Sequence, residues 1–334
     1  MTKLHLRSLM VVLLGAILVL SACGGGKKNI AIGPPASETN NVAKIVLDAY
    51  GVGDGDYKAF LEGFGAAADG VQDGNIDISI GILGLPAASI ESLQASAGDV
   101  KMISLSDDAI KKIEEKSGYK HFTIPKDTYD FLTEDVQTIT AFAILMGNTN
   151  TIDEELGYEL AKSMIENASE NTHAQAKQMI LENALNGAEG LLIHPGAKKY
   201  YEEQGLTVTN EVATVSASEG DRKSEFTLGT GSQGGTYYPL GGEMANLWNK
   251  YIDGINVTNM ETGASVENMS SISKDQMDLG MSVHVPALNA LNGKADFEGN
   301  PVSNAAFIGH IYPEVVQIVT REKTKIKGFE DLKK

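Results

Sequence analysis

The sequence predicts an α/β fold in two parts, and three observations predict it. Short apolar runs alternate with segments of helical period along nearly the whole chain. A polar, non-periodic stretch at 207–225 interrupts the alternation, which then restarts. Strands hand over to helices through loops rich in glycine and hydroxyl side chains. Alternation of this kind implies largely parallel sheets, and 334 residues with 42% hydrophobic content suffice for two domains or one large bilobal one.

The first element is not part of that fold. Lys3 and Arg7 precede an apolar run, 9–20, and Leu20-Ser21-Ala22-Cys23 follows with three glycines. The run is too short to span a bilayer and ends in small residues, as an export signal does. It resembles a bacterial lipoprotein signal, which makes 1–22 the expected signal peptide, Cys23 the acylated residue and 23–28 a tether. An uncleaved anchor, the alternative, also places the remainder outside the cytoplasm. Cys23 is the only cysteine, so the monomer has no disulfide. Removing residues 1–22 takes two cations and no acid, leaving 25 basic against 44 acidic side chains, a net charge of −19. That field repels phosphates and excludes a nucleic-acid partner.

Residues 29–33 read as a strand broken by Pro34-Pro35. A helix follows from Ser37, whose hydroxyl can cap it. Residues 58–69 read as a second helix, 76–82 as a strand ending in the turn around Gly84 and Pro86, and 100–105 as another strand. A helix is expected over 107–116 and a buried strand over 138–146. Helices are expected over 153–168, 172–185 and 195–205. The stretch 207–225 reads as a linker. Beyond it come strands at 226–228, 255–260, 277–283, 305–311 and 315–320, with helices at 238–251, 265–274 and 286–292.

Three strand-to-helix loops can present amides and hydroxyls to a ligand: 33–40, 229–240 and 262–268. Each is also ordinary turn and cap chemistry. Gly229, Gly231 and Gly234, with Glu261 beyond, match a dinucleotide fingerprint. The spacing to Glu261 is long, and an exported protein meets little nicotinamide cofactor, so no cofactor is expected. There is no G-x-S-x-G, H-E-x-x-H or Walker sequence, and the histidines are scattered without metal-ligand spacing. His284, beside Ser282, is either a structural histidine or a ligand contact. Arg321 is either a clamp for a carboxylate or half of a structural ion pair.

FTLGTGSQGGTYYPLGG at 226–242, ETGASVENM at 261–269, DLGMSVHVPALNAL at 278–291 and IYPEVVQIVTRE at 311–322 resemble the first half of the TAXI-type receptors of TRAP transporters. KNIAIGPPASETN, GILGLPAAS, FTIPKDTY, ILENALNG and LLIHPGAKKYYEEQG resemble the second half. The order is inverted relative to that family, as in a circular permutant whose original ends are joined through 207–225. The resemblance implies a bilobal periplasmic-binding-protein type II-like fold. It divides the chain into 29–145 (second lobe of the family), 146–205 (helices packing on the lobes), 206–225 (linker), 226–324 (first lobe) and 325–334 (return to the second lobe). It further implies a non-enzymatic receptor, lipid-anchored and extracytoplasmic. Such a receptor binds a small organic anion or amino acid, glutamate- or 2-oxoglutarate-like, and delivers it to a TRAP-type permease.

Expected ligand contacts are Ser232, Gly235, Thr236, Tyr237, Ser265, Val266, Ser282 and His284 from one lobe. Ser37, Glu38, Thr39, Gly84 and Pro86 are expected from the other. Glu38 suits a ligand amine better than an anion, which favours an amino acid over a keto acid. Val283-His284 and Pro34-Pro35-Ala36 depart from the family pattern and leave the ligand open. The competing functions are an exported α/β enzyme using the Gly229–Gly234 loop, or a surface lipoprotein without a small ligand.

Overall fold

Two long antiparallel strands, Val136–Asn148 (β6) and Ala305–Arg321 (β10), run through both halves of the computed structural model, which describes residues 26–333. The expected signal peptide, 1–22, and the expected acylation site, Cys23, lie outside the described residues.

Lobe A is built from Lys28–Ala31 (β1), Glu38–Ala49 (α1), Tyr57–Phe60 (β2), Phe64–Asp73 (α2), Ile78–Leu83 (β3), Ala88–Ala97 (α3), Val100–Met102 (β4), Asp107–Lys116 (α4) and Lys120–Ile124 (β5). Its sheet runs β2-β1-β3-β10, with β4 on the far side of β10. Strand alternation sets its two faces. Ile78, Ile80 and Ile82 pack against Val42, Val46 and Leu47 of α1 and Ile110 and Ile113 of α4. Leu83 and Val319 turn the other way, to Ala67 and Val71 of α2 and Ile90 of α3.

Lobe B holds Glu154–Glu166 (α5), Pro195–Glu203 (α6), Glu225–Gly229 (β7), Tyr237–Tyr251 (α7), Asn256–Met260 (β8), Ser265–Ser273 (α8), Leu279–Val283 (β9) and His284–Leu291 (α9). Its sheet runs β8-β7-β9-β6-β10. The lobes therefore exchange strands. Val315–Thr320 of β10 pairs β3 in lobe A, while Ala143–Gly147 of β6 pairs β9 in lobe B. Register shifts between Phe307 and Gly309 and between His310 and Tyr312 mark bulges in the crossing pair, where strands bend.

Several expectations are corrected. The sheet is mixed: β1, β2 and β3 are parallel, as are β7, β8 and β9, but β6 and β10 pair each other and their neighbouring strands antiparallel. The two strands expected at 305–311 and 315–320 are one. The helix expected at 58–69 begins only at Phe64, because Tyr57–Phe60 pairs β1 as an edge strand and Gly63 resets the backbone. The helix expected at 172–185 is two 3-10 turns, Ala176–Gln178 and Leu181–Asn183, joined by irregular chain. Tertiary bonds take its backbone groups: Glu243 accepts from the amides of Thr172 and His173, and the Ala184 carbonyl accepts from His310 N. The stretch 207–225, expected as a linker, is irregular apart from the 3-10 turn Glu219–Asp221 and is tied down as a strap. Ile193 bridges Val212 and Phe307, and Arg222 grips Asp153 through two bonds of 2.7 Å. Val208 and Phe226, at its two ends, belong to the core of lobe B.

Candidate functional site

The cleft between the lobes narrows to a partly open cavity with room for the centre of a water-sized sphere over about 60 Å³. At ~10–15 Å³ per water on that measure, it holds a handful of heavy atoms. Its walls come from both lobes: the β1–α1 loop and the start of α1, the loop before α2, β3, the β7–α7 loop, the β8–α8 loop and Glu314 of β10.

Local sequence explains each wall. Gly33 holds φ +81, and a Cβ there would meet Thr39 at 2.6 Å. Ser37 caps α1, accepting from Asn40 N at 3.2 Å and donating to the Pro34 carbonyl at 2.6 Å. This places Glu38 in the first turn, 3% exposed. The Tyr119 hydroxyl donates to Glu38 Oε1, and Asn41 Nδ2 donates to Oε2 at 3.2 Å. Glu314 is likewise 3% exposed and accepts from the Tyr312 hydroxyl at 2.6 Å. Tyr237 packs edge-on against Tyr312, ring centroids 6.1 Å apart. Burial pushes Glu38 up to about 7, against the pull of Tyr119 and Asn41. Burial pushes Glu314 up to about 8, and the Glu38 charge adds to it.

The glycine-rich loop is explained by close approach. A Cβ on Gly229 would lie 2.0 Å from Met277 Sδ, and one on Gly234 would lie 2.4 Å from Gly65 Cα of the opposite lobe. The lobes also meet where Gly84 N donates to Thr236 Oγ1 at 2.9 Å and Glu267 N to the Ala36 carbonyl at 3.2 Å. Glu261 is engaged with Gln233.

Of the residues expected to contact ligand, Ser37, Glu38, Thr39, Ser232, Gly235, Thr236, Tyr237 and Ser265 line the cavity together. Val266, Ser282, His284, Gly84 and Pro86 are not among its lining residues. Val266 is in the lobe B core, and Ser282 is fully buried with its hydroxyl on the Val283 carbonyl. His284 accepts from Phe142 N at 3.2 Å, and its ring lies against Phe142, whose other neighbour is His310. Gly84 and its neighbours serve the framework, with the Gly84 carbonyl bound by Gln317 and the Leu85 carbonyl by Gln175. Arg321 forms a structural ion pair with Asp99 and also donates to the carbonyls of Gln72 and Ala97. Sequence reasoning missed Glu314. Its signal was a single acid inside an apolar run, which the split of 305–320 into two strands assigned to a turn.

Two α/β lobes that exchange strands and wall a cavity between them define the class: a periplasmic-binding-protein-type fold. A sequence model described as the NMT1-like family matches residues 21–205 and 228–334. The chain belongs to the NMT1-like family, a periplasmic solute-binding-type family. Among solved structures, it is similar to a binding protein component of an ABC phosphonate transporter from Pseudomonas aeruginosa, at 11% identity and TM-score 0.40, over 91% of this chain and 70% of that one. It is also similar to an ancestral arginine-binding protein, at 11% identity and TM-score 0.37, over 92% of each chain. A third is the substrate-binding protein of an amino acid ABC transporter, at 8% identity and TM-score 0.39, over 92% and 89%.

Proposed function

We propose that the protein is an extracytoplasmic receptor that captures one small solute between its lobes and passes it to a membrane permease. The observation that carries this reading is the cavity walled from both lobes, with lobe-to-lobe hydrogen bonds beside it. A solute touching both walls favours the closed arrangement by its differential affinity, so binding and lobe movement form one equilibrium. A TRAP-type permease is the partner that the TAXI resemblance implies. A lipid on Cys23 would hold the receptor at the membrane beside it. The solute is a small organic anion or amino acid, and Glu38 and Glu314 favour the amino acid.

The permuted order belongs to the same proposal. The matched segments flank the strap, and the strap begins and ends on lobe B. Ile30 and Phe329, far apart in the chain, share one apolar cluster of lobe A, so the segments that the family joins in sequence lie together in this fold.

Thermal unfolding against glutamate, glutamine, 2-oxoglutarate, short dicarboxylates and small amines tests the receptor. A solute at 100 times its Kd adds about 2.7 kcal/mol. A cooperative transition moved by one class of compound is expected. A transition that nothing moves overturns the reading, and turnover of a compound points instead to an enzyme.

A further inference from the structure

The chemical class of the solute can be read from the cavity wall, and this inference rests on the receptor reading above. Glu38 and Glu314 enter the cavity from opposite structural origins, a helix first turn and a crossing strand, and Glu62 stands at its exposed rim. Among the described residues that line it there is no lysine, arginine or histidine. Carboxylates taken out of water cost several kcal/mol each unless a cation or strong donors answer them. Here the identified donors are neutral: the Tyr119 hydroxyl and Asn41 for Glu38, and the Tyr312 hydroxyl for Glu314.

A third tyrosine points independently to a ligand. Tyr237 lines the cavity and is 5% exposed, and its hydroxyl stands beside Ser265 and Glu314 without a hydrogen bond of good geometry to either. A buried hydroxyl without a bond is expensive, and a polar solute group in the cavity would relieve it. On the facing wall, the first turns of α7 and α8, at Tyr237 and Ser265, carry amides that have no partner inside their helices.

We propose that Glu38 and Glu314 form the recognition pair for a cationic nitrogen, so that the cleft takes a small amine or amino acid and rejects dicarboxylates that lack nitrogen. The ammonium group sits at the two carboxyls. Where the solute also has a carboxylate, that group faces the first turns of α7 and α8. Binding favours the ionised carboxyls, so protons leave the pair as the ammonium arrives. The other titratable groups around the pair are Tyr119, Tyr237 and Tyr312, with Asp296 acting on Glu38 and Glu62 at the rim. The tyrosines are held well above their usual range by burial and the neighbouring carboxyls, so they stay protonated.

The test is calorimetric titration of the purified protein with glycine, alanine, glutamate, ethanolamine, putrescine, succinate and 2-oxoglutarate, at pH 7 in two buffers of different ionisation enthalpy. Binding of one or more nitrogen compounds is expected, with protons released and affinity rising from pH 5 to 8. Glu314→Gln and Glu38→Gln should each weaken that binding roughly 10- to 150-fold, the loss of one charge-assisted contact. Each variant should unfold cooperatively, which separates lost recognition from lost fold. Binding of succinate or 2-oxoglutarate without the nitrogen compounds overturns the pair and leaves the receptor standing. So does amine binding that neither variant weakens. Binding of nothing in the panel overturns both. If a variant fails to fold, the proton count and pH profile of the unaltered protein still decide, and amine binding without proton release contradicts the pair.

Discussion

Raising the pH should destabilise the solute-free protein, and Glu314→Gln should remove most of the effect. Both carboxyls have folded pKa values above the unfolded 4.5, about 7 for Glu38 and about 8 for Glu314. The folded state therefore holds protons that the unfolded state releases. The stabilisation is fully present below 4.5 and is lost as the pH rises through about 7 and about 8. At about 1.4 kcal/mol per pKa unit, the whole loss is roughly 3 kcal/mol for Glu38 and roughly 5 for Glu314. About 2 to 3 kcal/mol of their sum falls between pH 6.5 and 9. Histidines act on the other limb. His284 and His310 are pushed down to about 4 by burial, so their contribution is complete above 6.5 and is lost as the pH falls through 4. Urea unfolding of the solute-free protein at intervals from pH 6.5 to 9 isolates the carboxyls. The midpoint should fall steadily at constant m-value, and Glu314→Gln should flatten the fall by about 2 kcal/mol. A midpoint that holds or rises, in parallel for both proteins, would refute the claim that two acids are buried without a cation.

Three other outcomes are expected. Gly234→Val should lower solute affinity at least roughly tenfold while each lobe stays folded, since even a Cβ there would lie 2.4 Å from Gly65 Cα across the cleft; calorimetry and circular dichroism check the two halves. Arg222→Ala should cost about 3 kcal/mol in denaturant unfolding, because it leaves Asp153, 2% exposed, without its bidentate partner. Cys23→Ser should move the full-length protein from the membrane fraction to the soluble fraction, read by fractionation of expressing cells.

Elements with local signals were the legible ones. Asp107–Lys116 is the helix expected there, with Ser106 accepting from Ala109 N, acids in its first turn and Lys116 in its last. Ser37 opens α1 as its hydroxyl suggests. The glycine loop and the two hydroxyl loops do come together at one cavity, because each ends a strand on the cleft side of its sheet. Long-range bonding decided what was missed. Nothing local in 172–185 shows that Glu243 and His310 will take its backbone bonds, and nothing local in 57–60 shows an edge strand. The antiparallel crossing strands arise from strand exchange between lobes, a relation that alternation alone cannot display. Glu314 was hidden by Pro313, which reads as a break but here sits inside β10, opposite Phe142 of β6.

The central claim is that the lobes close on one small solute. Spin labels at Ser96 of lobe A and Lys250 of lobe B, both exposed, would report the distance between them in a Cys23→Ser background. The account predicts a broad distribution without solute and a single narrow, shifted one with saturating solute, at one solute per chain by calorimetry. An unchanged distribution under saturating solute would contradict it.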